Sequence, residues 1–373
     1  MAKRGHGDGS IYQRKDKRWV GCLVLEDHTR KYLYGKTRKE VQEKLRTAIA
    51  EQQQGILATG PQQTLAAYLH QWLETVHKHT IRIITYQHYE SLIRNHVVPT
   101  IGHITLQKLT AQHVQSLYND KINDNLAPRT VAMMHAILHS ALDNAVRWSL
   151  VSRNVTDLVS IPRVTRRHEV KVLNPTEAKR LIEAADGHRL KFLLILAITT
   201  GMRRGELLAL RWSDIDFDQH ILQVQRTVNR LGKYGFVENP PKTKSGRRRI
   251  VLSSVAIDAL RGQQKMQDDA RALAGDQWEE HGLVFANIYG RFMDPNRVGE
   301  LFHGLLKKAG LPAMRFHDLR HSAATILLTL GVHPKVVQEL LGHSTIVMTM
   351  DTYSHLLPSM QQDAMDKMDD ALE

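Results

Sequence analysis

A single cysteine, Cys22, stands in a chain of 373 residues. It excludes an intramolecular disulfide framework and a zinc site built from cysteines. Long hydrophobic runs are also missing. The longest, Phe192 to Ile198, is seven residues, and a membrane-spanning helix needs about 20. Met1 to Ser10 is polar and basic with no apolar segment, so the sequence predicts no secretion signal and a cytoplasmic protein. Neither a phosphate-cradling P-loop nor a dinucleotide fingerprint occurs. His317 and His321 have the i,i+4 spacing of a zinc-binding pair, but the glutamate of the metalloprotease helix is absent. Asp214, Asp216 and Asp218 imitate the start of a calcium loop. Gln219 and Gln225 occupy the positions where that loop needs Gly and Glu.

Acidic residues are in short supply. Fifty-one Lys and Arg face 38 Asp and Glu, a net charge of +13. Such a surplus points to a polyanionic partner, most often nucleic acid, over a merely basic surface. The surplus is uneven: residues 1–60 carry thirteen cations and seven acids, whereas 359–373 carry one lysine and five acids. The two ends are thus fitted to different partners.

The length allows two to four domains. Residues 1–58 read as a small α+β unit, a three-stranded sheet followed by a helix. Arg18 to Leu25 and Arg30 to Tyr34 are strand-like, and Glu26-Asp27-His28 is a turn. Thr37 and Glu40 have capping-box spacing, with Val41, Leu45, Ala48 and Ile49 on one helical face. Residues 62–160 read as all-helical. Leu65, Tyr68, Leu69, Trp72, Leu73 and Val76 form one stripe, and Pro128 opens a long helix through Trp148. Pro99 to Gly102 and Asp124-Asn125 are breakers between helices. A basic linker, 161–169, follows; Arg163, Arg166 and Arg167 either lie along a phosphate backbone or are a solvated tether. Residues 170–358 read as helix-rich α+β, with helices over 175–186, 189–199 and 204–210 and strands over Ile221 to Val228 and Arg249 to Leu252. In the acidic tail, 359–373, Met360, Ala364, Met368 and Leu372 are spaced by four, an apolar stripe for a neighbouring catalytic domain or for its own.

Three clusters carry chemistry. Thr200-Gly201-Met202-Arg203-Arg204-Gly205-Glu206 can present guanidinium and backbone donors to an anion, or be a plain helix end. Pro241 to Arg249 places Lys242, Lys244, Arg247, Arg248 and Arg249 in a hairpin turn that fits a phosphate backbone or a solvated loop. The third cluster is Arg315-Phe316-His317-Asp318-Leu319-Arg320-His321, then Leu341-Gly342-His343, then Asp351-Thr352-Tyr353. His317 and Arg320 share a helical face.

Arg203, Lys244, His317, Arg320, His343 and Tyr353, in that order on one basic chain, resemble the tyrosine recombinase family, in particular integrases of phages and integrative elements. The likeness spans nearly the whole chain. Met202 stands where the family's arginine box usually has Leu. The resemblance implies that 1–58 is an arm-type DNA-binding domain, 62–160 a SAM-like core-binding domain and 170–358 the catalytic domain.

It further implies site-specific recombination by phosphoryl transfer. Tyr353 would attack the scissile phosphate, giving a 3′-phosphotyrosine and a free 5′-hydroxyl. The ester conserves bond energy, so joining needs no ATP. A phenol with a pKa near ~10 needs a base at neutral pH, and His317 would supply it. Arg203 and Arg320 would clamp the non-bridging oxygens and His343 would add a donor. Lys244 would protonate the leaving oxygen, and Glu206 would orient Arg203. With cations carrying the charge, no metal or other cofactor is implied. The implied partners are double-stranded DNA at core-type and arm-type attachment sites, three more copies of the chain on that DNA, and a directionality factor or DNA-bending protein. The implied place is the nucleoid of a bacterial host. Lys15, Lys17, Arg18, Arg30 and Lys31, amid Trp19, Tyr32 and Tyr34, fit a sheet pressed on DNA, although some of those aromatics must form the small unit's core. Two other readings remain open on sequence: a DNA-binding regulator on this scaffold, and a type IB topoisomerase.

Overall fold

The computed structural model describes residues 9–24, 30–53, 62–163, 171–241 and 244–347, together with 365, 368–370 and 372. The chain divides into two compact units, Met1–Arg167 and His168–Glu373.

The first unit opens with an antiparallel sheet of β1 (Ser10–Gln13), β2 (Trp19–Val24) and β3 (Arg30–Gly35), with β2 central. One face is covered by α1 (Arg38–Gln53). Thr37 Oγ1 accepts the Glu40 N–H at 3.2 Å, while the Glu40 carboxylate reaches the amide of Lys36 at 2.9 Å, so the expected capping box closes one residue early. Strand alternation sends Ile11, Leu23 and Leu33 towards the helix, where they pack on Leu45, Ala48 and Ile49. A Cβ at Gly21 would meet Val41 at 3.0 Å, so glycine lets helix and sheet close together. The aromatics divide between the two faces. Trp19 shares the helix-side face, whereas Tyr12, Tyr32 and Tyr34 stand exposed on the other.

The rest of this unit is helical: α2 (Leu65–Trp72), α3 (Ile83–Leu92), α4 (Val98–Ile101), α5 (Ala111–Asn123) and α6 (Pro128–Arg147). Thr64 caps α2 by accepting from Ala67 N at 3.2 Å. Tyr68, Trp72, Leu117, Tyr118, Met134 and Leu138 fill the core, each large apolar side chain contributing roughly 1.5–3 kcal/mol by burial. The expected break at Pro99 is displaced. Helix α3 continues through a π turn, Ile93–Val97, into α4, and the chain leaves the helix only at Gly102. Pro99 stands at the second position of α4, where the change of hydrogen-bond register tolerates a residue without a donor.

The second unit contains α7 (Pro175–Ala184), α8 (Lys191–Thr200), α9 (Arg204–Leu208), β4 (Ile215–Asp216), β5 (Ile221–Val224), β6 (Thr227–Leu231), β7 (Gly235–Asn239), β8 (Arg248–Val251), α10 (Ser254–Ala274), α11 (Pro295–Lys308), α12 (Asp318–Thr329) and α13 (Pro334–Leu341). Asn174 and Glu177 cap α7 reciprocally, both bonds 2.9 Å. Leucines of α8, with Leu207, Leu222, Ile250, Phe285, Phe302 and Leu319, form the largest core.

Two strand expectations change. The run Ile221 to Val228 is two strands, because the chain leaves the sheet β4-β5-β8 after Val224 and enters the ribbon β6-β7 at Thr227. Between them Arg226 is drawn inward by Asp214 at 2.6 Å and Glu238 at 3.7 Å. Among the described residues β7 pairs with β6 and β8 with β5, so the hairpin expected ahead of Ile250 is not found there; Lys242 and Thr243 lie outside the described residues.

Candidate active site

Helix α8 ends at Gly201, which adopts φ +61, a left-handed conformation that suits glycine. The chain reverses there and delivers Arg203 to the N-cap of α9. Arg203 is held twice by Glu206: its backbone N–H donates to Oε2 at 3.0 Å and its Nη1 to Oε1 at 2.8 Å. Glu206 is only 3% exposed. Burial alone would raise its carboxyl pKa, but Arg248 and Arg203 outweigh burial and hold it below the ordinary range.

The second arginine comes from α12. The buried Asp318 carboxylate accepts the Arg315 backbone N–H at 2.9 Å and its Nη2 at 2.8 Å, which fixes the turn ahead of the helix. His317 stands at the N-cap and Arg320 one turn on. Arg320 is 3% exposed, and its Nη1 donates to the Gly201 carbonyl at 2.8 Å. The rings of His317 and His321 stand perpendicular at 5.5 Å. Helix α13 ends on Gly342 at φ +67, which turns His343 towards the same place. Arg203 Nη2 lies 3.5 Å from the Gly342 carbonyl.

These cations act on the histidines. His317 keeps solvent-exposed surface, yet desolvation by the surrounding protein lowers its pKa, and His321, Arg320 and Arg203 add repulsion. Its pKa is pushed down to about 4. His343 is half-buried and falls to about 4 by desolvation, then by Arg320, Arg203, His321 and Arg248. Both rings are neutral at pH 7, one able to accept a proton and the other able to donate a neutral hydrogen bond. An anion seated on the arginines would raise both values. The arrangement can bind a tetrahedral oxyanion and move a proton beside it.

The structure thus brings together Arg203, Glu206, His317, Arg320 and His343. The backbone of Lys244 opens a short 3-10 turn, Lys244–Gly246. Tyr353 lies outside the described residues, as do Lys242, Arg166, Arg167, Met360 and Ala364. Arg163 and Arg247 are exposed, as are Lys15, Lys17, Arg18 and Arg30, while Lys31 is half-buried on the helix-side face of its sheet. Arg248 is elsewhere than expected. Its side chain is 6% exposed and paired with Glu206 at 3.0 Å, so it is no surface phosphate contact. Sequence reasoning gave Arg248 to the DNA surface and missed its buried pairing with Glu206, as it missed the packing of His321 against His317. A signal for Arg248 existed, since it alternates in phase with the apolar Ile250 and Leu252.

Residues 171–360 match the model of the phage integrase family, and residues 64–122 match its N-terminal SAM-like domain. The chain is 30% identical to a tyrosine recombinase XerC-like protein of Caldanaerobacter subterraneus subsp. tengcongensis, over 91% of this chain and 92% of that one. The Tn1549 transposon integrase in complex with transposon right end DNA has a similar fold, with a TM-score of 0.69 at 21% identity over 82% of this chain and 99% of that one. A lambda integrase tetramer bound to a Holliday junction gives 0.58 at 19% identity over 94% and 96%. These matches define the class as a tyrosine-type recombinase with a SAM-like helical module ahead of its catalytic unit. The chain belongs to the phage integrase family. Among the described residues, no helix is long and apolar enough to cross a membrane.

Proposed function

We propose that this protein is a site-specific DNA integrase that cuts and rejoins DNA through Tyr353, inserting and excising a mobile element or prophage. The observation that carries the reading is the convergence of Arg203, Arg320, His317 and His343 around Gly201 and Gly342. Tyr353 Oη bonds to phosphorus while the P–O5′ bond breaks. Its proton passes to His317, whose basicity rises once the phosphodiester supplies a negative charge. Arg203 and Arg320 hold the non-bridging oxygens, and Lys244 gives a proton to O5′. Attack by another 5′-hydroxyl reverses each transfer. Four copies act on paired core sites, and residues 1–58 hold arm sites through the Tyr12, Tyr32 and Tyr34 face and its flanking cations. The work is done on the nucleoid, with a directionality factor or DNA-bending protein assisting.

The test uses DNA fragments from the neighbourhood of the gene in its own element. Wild type and Tyr353→Phe are incubated with them in EDTA and quenched with SDS. A covalent adduct at one discrete site, lost in the variant, is expected and maps the cleavage position. Adducts at many sites would indicate a relaxing enzyme, and site-specific binding without any adduct would indicate a regulator.

A further inference from the structure

Arg247, Arg248 and Arg249 are three consecutive cations, and the strand alternation turns the middle one inward while its neighbours are exposed. Its three nitrogens reach three segments. Nη2 donates to Glu206 Oε2 at 3.0 Å in α9, Nε to the Leu340 carbonyl at 2.6 Å in the last turn of α13, and Nη1 to the Gly246 carbonyl at 3.2 Å in its own loop. The packing around it is equally close. A Cβ at Gly342 would lie 2.6 Å from the Ser245 carbonyl and 3.0 Å from Arg248 Cδ. Ser245 follows Lys244, and Gly342 precedes His343. The loop that carries the proposed acid therefore rests directly on the segment that carries His343.

We infer that Arg248 is a positioning residue that locks the Lys244 loop to the Arg203–Glu206 pair and to the end of α13, so that proton donation to the leaving oxygen and phosphate clamping are assembled together. The inference rests on the reading of Lys244 as the general acid. A planar guanidinium can serve three acceptors in fixed directions, whereas an ammonium keeps the charge but not the fork. Arg248 also balances the Glu206 charge, which leaves Arg203 with net positive charge for the phosphate.

The experiment distinguishes positioning from mere stability by changing the leaving group. Duplexes carrying the mapped cleavage site are made with a 5′-bridging sulfur in place of oxygen at the scissile phosphate. A thiol has a pKa near ~8.5, so the thiolate departs without a proton donor. Arg248→Lys is expected to bind the oxygen duplex like wild type and to cleave it about 10²-fold more slowly, the size of effect that follows small misplacement of a reacting group. On the sulfur duplex most of that deficit is expected to vanish, as for Lys244→Ala, whereas Arg203→Lys stays slow on both. Equal deficits on oxygen and sulfur for Arg248→Lys, with Lys244→Ala rescued, would overturn the inference. A Lys244→Ala enzyme that sulfur does not rescue would instead overturn the assignment of Lys244 as the acid. Should Arg248→Lys fail to fold, the pair Arg248→Gln with Glu206→Gln removes both charges together, leaving neither buried alone. The same sulfur-to-oxygen ratio is then read, and a ratio equal to that of wild type counts against the inference.

Discussion

The Arg320 guanidinium donates to the Gly201 carbonyl oxygen at 2.8 Å across 119 residues of sequence. This bond joins the helix that carries the second arginine to the turn that presents the first. The buried guanidinium thereby ties the two arginine-bearing segments together at a fixed spacing.

Gly201 is the weak point of that arrangement. It sits at φ +61, and a Cβ there would lie 2.4 Å from Leu341 Cδ2. Gly201→Ala is expected to cost about 1–2 kcal/mol from the backbone alone, more as Leu341 is displaced. Thermal melting and adduct formation should fall together; an unchanged melting temperature would contradict the assigned turn.

Arg203→Lys keeps the charge and loses the fork that meets Glu206 and, in the proposed reaction, the phosphate. Single-turnover cleavage is expected to fall by about 10²–10³-fold, while gel-shift affinity for the core site changes little. A parallel loss of binding would place Arg203 in DNA docking only.

Acidification should destabilise the DNA-free protein before its carboxylates titrate. His317 and His343 have native pKa values of about 4 against an ordinary 6.5. Between those values the unfolded chain binds more protons than the native one, so stability rises with pH and is lost as pH falls from 6.5 towards 4. Glu206 and Asp318, both held below the usual carboxylate range, add a further loss lower down. Melting temperatures across that range should slope for wild type and slope less for His317→Asn; identical slopes would refute the proposed protonation states.

Tyr12, Tyr32 and Tyr34 are exposed on the sheet face opposite Leu23, Leu45 and Ala48. Replacing all three with Ser should leave the fold intact by circular dichroism. An aromatic ring against nucleic acid is worth ~1–3 kcal/mol. Affinity for arm-site duplexes should therefore drop at least about tenfold, with core-site cleavage retained. Undiminished arm binding would move the interface to another surface.

Much of the site was legible because its residues come in short, dense motifs. Thr200 to Glu206 and Arg315 to His321 carry both the reacting groups and the local caps that aim them, so local sequence and local geometry coincide. The helices of 62–160 were legible from periodicity, because one buried stripe leaves a strong pattern. The strand over 221–228 is two strands because the apolar phase of Leu222, Val224 and Val228 is broken at Arg226, where the chain changes sheets. The ion pairs of Arg226 with Asp214 and Glu238 accommodate the charge at that break.

The sequence by itself determined which reactive groups are available: a surplus of cations, and arginine and histidine motifs in a fixed order along the chain. Tertiary structure decided which cations face substrate and which are buried. Arg247, Arg248 and Arg249 are chemically alike along the chain, yet one is consumed by Glu206 and Leu340 while its neighbours are left to solvent. It likewise sent Tyr32 outward and Trp19 to the helix side. In both cases the deciding quantity is burial, set by which face a packed helix covers, and burial is what turns a charge from a surface contact into a fixed part of the framework.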